Sequence, residues 1–307
     1  MNRAQDQPIS RRRALGLLGV LGAGAAGRFA ALRGGPPPAK VVAGTVREVE
    51  TYAGLTGEWW VPPAATGLLP TVVLVHGGYW RAGYDRTLED AVAADLAGRG
   101  FLVWNLDYRS SASPWPDTLT DVAAGYDHLL HGRYGHRVDP ARVAVVGHSA
   151  GGHLALWLGS RGRLPVGAPG ALLGGPGAVV SGSGAVVGGP RVALAVAQAP
   201  VAALLRASSE GLGGGAVDAL LGGAPAAVPE HLAVADPMAL LPSGTRTVLV
   251  HGARDRTVPL SQSQDYLAAA TARGGDARLV TVPGGHFTHL DPRSEACAAL
   301  REALATL

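Results

Sequence analysis

The sequence predicts an α/β fold, with a mainly parallel central sheet, helices on both faces and a small cap insertion. Short β-branched runs alternate with stretches of helical periodicity from about residue 41 onward, a rhythm that calls for parallel strands joined by packed helices. Glycine-flanked His, Ser and Asp residues stand just beyond the ends of several of these runs. With 307 residues, 47% hydrophobic and 16% charged, the chain is long and apolar enough for one large core.

Antiparallel strands are expected first, at residues 41–52 and 58–61. Residues 71–76 form a short β-branched run, as expected of a buried strand. Residues 87–98 have helical periodicity, 101–106 read as the next strand, 118–131 as a helix and 142–147 as another buried strand. A helix is expected at 150–159, strands at 192–198 and 247–251, a helix at 262–273, a strand at 277–282 and a closing helix at 294–307. Two stretches break the rhythm. Residues 165–190, dominated by Gly, Ala and Val, read as a surface insertion. Residues 201–241 carry Gly213-Gly214-Gly215, Pro225 and Pro229 and read as a small cap of short helical pieces and turns.

The N-terminus has a different character. Arg11-Arg12-Arg13 precedes an uncharged Gly-, Ala- and Leu-rich stretch, and residues 1–31 are expected to be a twin-arginine-type export signal recognised by the export machinery, with a disordered leader on a cytoplasmic enzyme as the alternative. Residues 32–40, with Pro36-Pro37-Pro38, read as a linker. The apolar run is too short for a transmembrane helix, which needs about 20 residues, so no stable membrane span is expected. Five arginines against one acid lie before residue 31, so that segment accounts for the formal +3 and the remainder is near −1. No basic stripe remains for nucleic acid. Cys297 is the only cysteine, which excludes an intramolecular disulfide, and a helical setting makes it a buried small residue.

Gly147-His148-Ser149-Ala150-Gly151 fits G-x-S-x-G between an expected strand and an expected helix. That turn is so sharp that only small residues fit two positions either side, and it leaves the serine hydroxyl exposed as a nucleophile. His148 beside it reads as a packing residue. His76-Gly77-Gly78-Tyr79-Trp80 follows the strand at 71–76 and reads as the loop whose N–H groups at Gly78 and Tyr79, with that of Ala150, would hold a developing oxyanion. Such donors are worth about 3 kcal/mol each in the transition state. A serine needs an imidazole to take its proton and a carboxylate to orient that imidazole, in the chain order Ser, acid, His. Asp255, in the turn after the strand at 247–251, is the expected acid, with Asp236, Asp265 and Asp291 as rivals. His286, in Pro283-Gly284-Gly285-His286, is the expected base, with His289 as its rival. Trp80 and Trp115 are candidate pocket residues, with core packing as their other reading. No metal motif or dinucleotide fingerprint is present, and no cofactor is expected.

These motifs, with Gly147-His148-Ser149-Ala150-Gly151-Gly152-His153-Leu154-Ala155 and His76 to Trp80 foremost, resemble the esterase and arylformamidase branch of the α/β-hydrolases. Within it they look like the kynurenine formamidase and feruloyl-esterase-like (BD-FAE) group, over about residues 45–307. The expectation is an exported serine hydrolase of small-molecule carboxylic esters working through an acyl-enzyme. The alternatives are an amide-cleaving formamidase or peptidase, and a non-catalytic binding protein on the same fold.

Overall fold

The computed structural model describes residues 37–172 and 189–307. The expected export signal at 1–31, the first residues of the linker and most of the 165–190 insertion lie outside the described residues. Eight strands form one sheet: β1 Val46–Tyr52, β2 Leu55–Val61, β3 Leu69–Val75, β4 Leu102–Leu106, β5 Val138–His148, β6 Leu194–Gln198, β7 Arg246–Gly252 and β8 Ala277–Val282. Their spatial order is β1-β2-β4-β3-β5-β6-β7-β8. β2 pairs antiparallel with β1 and β4, and the remaining neighbours are parallel. The mainly parallel sheet is therefore as expected.

Several boundaries differ for local reasons. β1 begins at Val46 rather than 41, because a turn with Gly44 at φ +87° precedes it. The helix expected at 87–98 divides in two. Asp85 accepts a hydrogen bond from the Thr87 N–H and starts a 3-10 turn, Arg86–Glu89, which leads into α1, Asp90–Ala97. The helix expected at 118–131 is α2, Asp117–Asp127, followed by a tighter 3-10 turn at His128–Leu130. After β5 comes α3, Ala150–Gly159. The cap-like stretch between β6 and β7 holds three short helices, α4 Leu204–Ser209, α5 Ala216–Leu221 and α6 Pro229–Ala235. The last two helices are α7, Ser261–Ala272, and α8, Glu295–Leu304, whose N-terminus is capped by Ser294.

The two-residue period of a strand assigns each face its partners. Val72, Leu74, Val146, Val196, Val248 and Val250 pack with Val92 and Leu96 of α1 and with Cys297, Leu300 and Leu304 of α8. Ala197 and Leu249 point the other way, against Leu156 of α3 and Tyr266 of α7. Burial of each such aliphatic side chain contributes about 1.5–3 kcal/mol, so the sheet is a rigid platform whose strand ends stay in place. Among the described residues, no helix is long and apolar enough to cross a membrane.

The root of the 165–190 insertion is held by an ion pair. The Arg161 guanidinium, 4% exposed, makes two 2.8 Å bonds to Asp127 and donates to the Gly170 carbonyl at 2.7 Å. Asp127 also accepts from the Gly189 N–H at 2.8 Å, and the Tyr126 hydroxyl donates to the Pro190 carbonyl.

Glu89 is buried at the start of α1, and one of its oxygens has no hydrogen-bond partner among the described residues. Burial, reinforced by the charge of Asp90, pushes its carboxyl up to about 8. An unfolded glutamate titrates near 4.5, so the folded chain keeps a proton that the unfolded chain releases between those values. Stability is full below pH 4.5 and falls by about 1.4 kcal/mol per pH unit up to pH 8. Glu89→Gln removes this loss. Thermal denaturation should show the variant gaining more over wild type at pH 8 than at pH 5.

Candidate active site

Four loops at the C-terminal ends of the parallel strands meet here. Ser149 lies between β5 and α3 with φ 59° and ψ −117°. A non-glycine residue held there costs on the order of 1–3 kcal/mol, and the surrounding structure must impose it. It does so through main-chain bonds. The Ser149 N–H donates to the Gln198 carbonyl at 2.8 Å, and the Ser149 carbonyl accepts from His153 at 3.1 Å. A serine preceding a helix ordinarily caps it with its hydroxyl, but Ser149 makes no capping bond. The elbow also needs backbone packed on backbone. A Cβ on Gly147 would lie 2.1 Å from the Gly151 carbonyl oxygen, and one on Gly151 would lie 1.9 Å from that of Val75.

The loop after β3 lies against this turn. A Cβ on Gly77 would be 3.1 Å from the Ser149 Cβ. Gly78, Tyr79 and Trp80 all have positive φ, which turns their peptide groups out of an extended path. His76 fixes the loop rather than acting as a base. Its Nδ1 is 2.8 Å from the Gly77 carbonyl, its ring stacks on Tyr108 at 4.2 Å, and the Tyr108 hydroxyl donates to the His76 carbonyl. Burial lowers its pKa. The Tyr79 hydroxyl donates to the Thr257 carbonyl at 3.0 Å and so joins this loop to the one carrying Asp255.

Asp255 and His286 meet. His286 Nδ1 lies 2.7 Å from Asp255 Oδ2, and both side chains are almost wholly buried. The other Asp255 oxygen accepts from the N–H groups of Thr257 and Val258 at 2.8 and 2.9 Å. Burial alone would raise this carboxyl, but bonds from His251, His286 and the Val258 N–H outweigh it and hold it well below the usual carboxylate range. Asp255 is therefore ionised at any pH near neutrality. The two loops are further joined by Ala253 N–H to Val282 carbonyl and Arg254 N–H to Gly284 carbonyl bonds, both 2.8 Å. Arg254 and Arg256 flank the acid and are exposed.

The rival residues are engaged elsewhere. Asp291 pairs with Arg293, and Asp265 with Arg206. Asp236 is buried under the Met238 N–H, and burial raises it to about 6. His289 is fully buried with its ring 5.6 Å from that of His148, and burial, with the nearby His286, lowers it to about 3. His148 packs beneath the base: its Nε2 is 2.8 Å from the His286 carbonyl and its ring 4.6 Å from that of His286. Trp80 is 1% exposed, with its ring edge-on to His153, while Trp115 is half-buried and stacks on His231 of the cap. Cys297 is buried and its thiol donates to the His289 carbonyl.

Ser149 Oγ and His286 Nε2 are both buried, and neither makes a hydrogen bond to the described residues. Catalytic hydrogen bonds of this kind often close only around substrate. Sequence reasoning left out His251 and the Gln198 carbonyl. The signal for His251 was its place at the strand end, four residues before the acid. The Gln198 contact is made by main chain and leaves no residue signature. Among the described residues, no group of three or more His, Cys, Asp or Glu is arranged to hold a metal ion.

Residues 58–269 match the BD-FAE family. The chain belongs to it. The BD-FAE match takes in the loop after β3, the elbow and Asp255. A carboxylesterase of Mycobacterium tuberculosis is 33% identical over 123 residues, which are 38% of this chain and 38% of that protein. An isoprenylcysteine alpha-carbonyl methylesterase of Arabidopsis thaliana is 34% identical over 97 residues, 31% of this chain and 22% of that protein. The chain thus matches well under half the length of these relatives. Among solved structures, a truncated carbohydrate esterase from gut microbiota superposes with a TM-score of 0.69 at 20% identity, covering 89% of this chain and 99% of that one. Esterase B from Lactobacillus rhamnosis superposes at 0.67 with 22% identity, covering 92% and 89%. These likenesses show the α/β-hydrolase fold.

The contact between Gly151 and β3 can be tested directly. Gly151→Ala puts a methyl group against main chain that cannot move aside, and should destabilise the protein by about 3 kcal/mol or prevent folding. Gly159→Ala in the same helix, where the nearest atom is the Ala195 Cβ at 3.3 Å, should cost clearly less. Denaturant titration of the two variants gives the comparison.

Proposed function

We propose that this protein is a serine hydrolase of carboxylic esters that works through an acyl-enzyme. Ser149 attacks the ester carbonyl while His286 Nε2 accepts its proton. Asp255 holds the ring so that the proton sits on Nδ1, and stabilises the imidazolium that forms. The N–H groups of Gly78, Tyr79 and Ala150 hold the oxyanion. Ala150 opens α3, so the helix offers its N–H no carbonyl four residues back. His286 then protonates the leaving alcohol, and a water it activates releases the acid. No cofactor takes part in either step.

The observation that carries this reading is the 2.7 Å bond from His286 to an ionised, buried Asp255, with Nε2 and the Ser149 hydroxyl uncommitted beside a strained elbow. The carboxylesterase and methylesterase names of the relatives support an ester, rather than an amide, as substrate. The arginine-rich start of the chain supports export, through a twin-arginine route, of a protein that needs no disulfide.

A fluorophosphonate probe should label the wild type and not Ser149→Ala. No labelling of the folded wild type would point instead to a binding protein on the same fold. Asp255→Asn should lower kcat by roughly 10⁴-fold, because the imidazole would then take the wrong tautomer. Asp291→Asn should leave turnover unchanged, and the reverse pattern would reassign the acid. Initial rates on p-nitrophenyl acetate, N-formylkynurenine and dipeptide amides separate esterase from amidase, and the acetate should be turned over fastest.

A further inference from the structure

Asp255 has a second histidine against it. His251, at the end of β7, is fully buried, and its Nε2 lies 3.5 Å from Asp255 Oδ2, the same oxygen that holds His286. The same nitrogen is 3.0 Å from the Val258 carbonyl. The opposite ring nitrogen, Nδ1, is 2.7 Å from the Ser263 hydroxyl, which is also fully buried, in the first turn of α7.

Proton placement follows from these partners. Nε2 faces only acceptor oxygens, a carbonyl and a carboxylate, so the proton of the neutral ring belongs there. Nδ1 is then an acceptor, and the Ser263 hydroxyl, which can rotate to suit, donates to it. The result is a buried chain from Ser263 through His251 to Asp255 and His286. Asp255 is thereby enclosed: Oδ1 accepts from two main-chain N–H groups, and Oδ2 bonds to the imidazole that would take part in proton transfer and lies 3.5 Å from one that would not.

We propose that His251 is a positioning residue for the acid–base pair. Its Nε2–H, bonded to the Val258 carbonyl, keeps a positive ring edge 3.5 Å from Asp255 Oδ2 and so restrains that oxygen on the line to His286 Nδ1, and Ser263 fixes the tautomer that makes this possible. The proposal rests on the roles given above to Ser149, His286 and Asp255. A purely structural histidine would fill the space between β7 and α7, and an apolar residue of similar size would replace it. A positioning histidine would need its donor.

The experiment compares His251→Leu, His251→Gln and Ser263→Ala with wild type, using steady-state hydrolysis of p-nitrophenyl acetate, thermal denaturation and the downfield proton resonance of the His286 Nδ1–H. His251→Leu should lower kcat by about 10- to 100-fold, the scale of a small misplacement of a reacting group, with KM within about threefold, and should shift or broaden the resonance. His251→Gln keeps a donor near the Nε2 position, and should recover kcat to within about fivefold of wild type. Ser263→Ala should lower kcat in the same direction by a smaller factor. A His251→Leu enzyme with wild-type kcat and an unmoved resonance would overturn the proposal. So would Gln and Leu variants that fall equally and in step with lost stability. If His251→Leu does not fold, Ser263→Ala decides, and an unchanged kcat and resonance there would overturn it. Wild-type turnover by Ser149→Ala would overturn the underlying roles themselves, an outcome separable from all of these.

Discussion

Everything at the site depends on main chain packed against main chain where β5 turns into α3. The Gly151 backbone sits so close to the Val75 carbonyl that no side chain fits between them, and Gly147 is pressed as closely against the carbonyl of Gly151. This contact seats the first turn of α3 over the ends of β3 and β5. It forces Ser149 into its left-handed conformation, and the bond to the Gln198 carbonyl locks it there. The strain is sustained because the flanking strands are buried on both faces and cannot relax. A hydroxyl that would otherwise cap the helix is left uncommitted.

The second constraint is electrostatic. An isolated carboxylate in a buried pocket is pushed toward its protonated form, as burial does to Glu89 at the start of α1. Asp255 escapes that outcome because three donors converge on its two oxygens and the buried His251 ring lies 3.5 Å from one of them. Three of the loops are also tied to one another, by the Tyr79 hydroxyl to Thr257 and by the Arg254 N–H to Gly284. The loops carrying Tyr79, Asp255 and His286 are therefore held together, as alignment of the proposed reacting groups to within fractions of an ångström requires.

Much of this was legible in the residues. The alternation of strand and helix patterns located all eight strands, and central parallel strands such as β3 and β6, buried on both faces, read as short apolar runs. Gly147, Ser149 and Gly151 announced the elbow because only small residues survive there. Asp255 and His286 stood out by their position after strand ends and their order along the chain. Strand starts were less legible: β5 begins at Val138, four residues earlier than expected, where Asp139 and Pro140 mask the extended pattern. The packing of His148 under His286 was also hidden, since a contact across 138 residues leaves no local pattern. Trp80 shows the same limit, because its indole faces His153 and no spacing rule announces that.

The Arg161–Asp127 pair has a consequence beyond its own two charges. It holds Gly170 and Gly189 at fixed points on the molecule, whatever residues run between them. Loss of the Asp127 carboxylate would release the Gly189 N–H and leave the Arg161 guanidinium buried without its counter-charge.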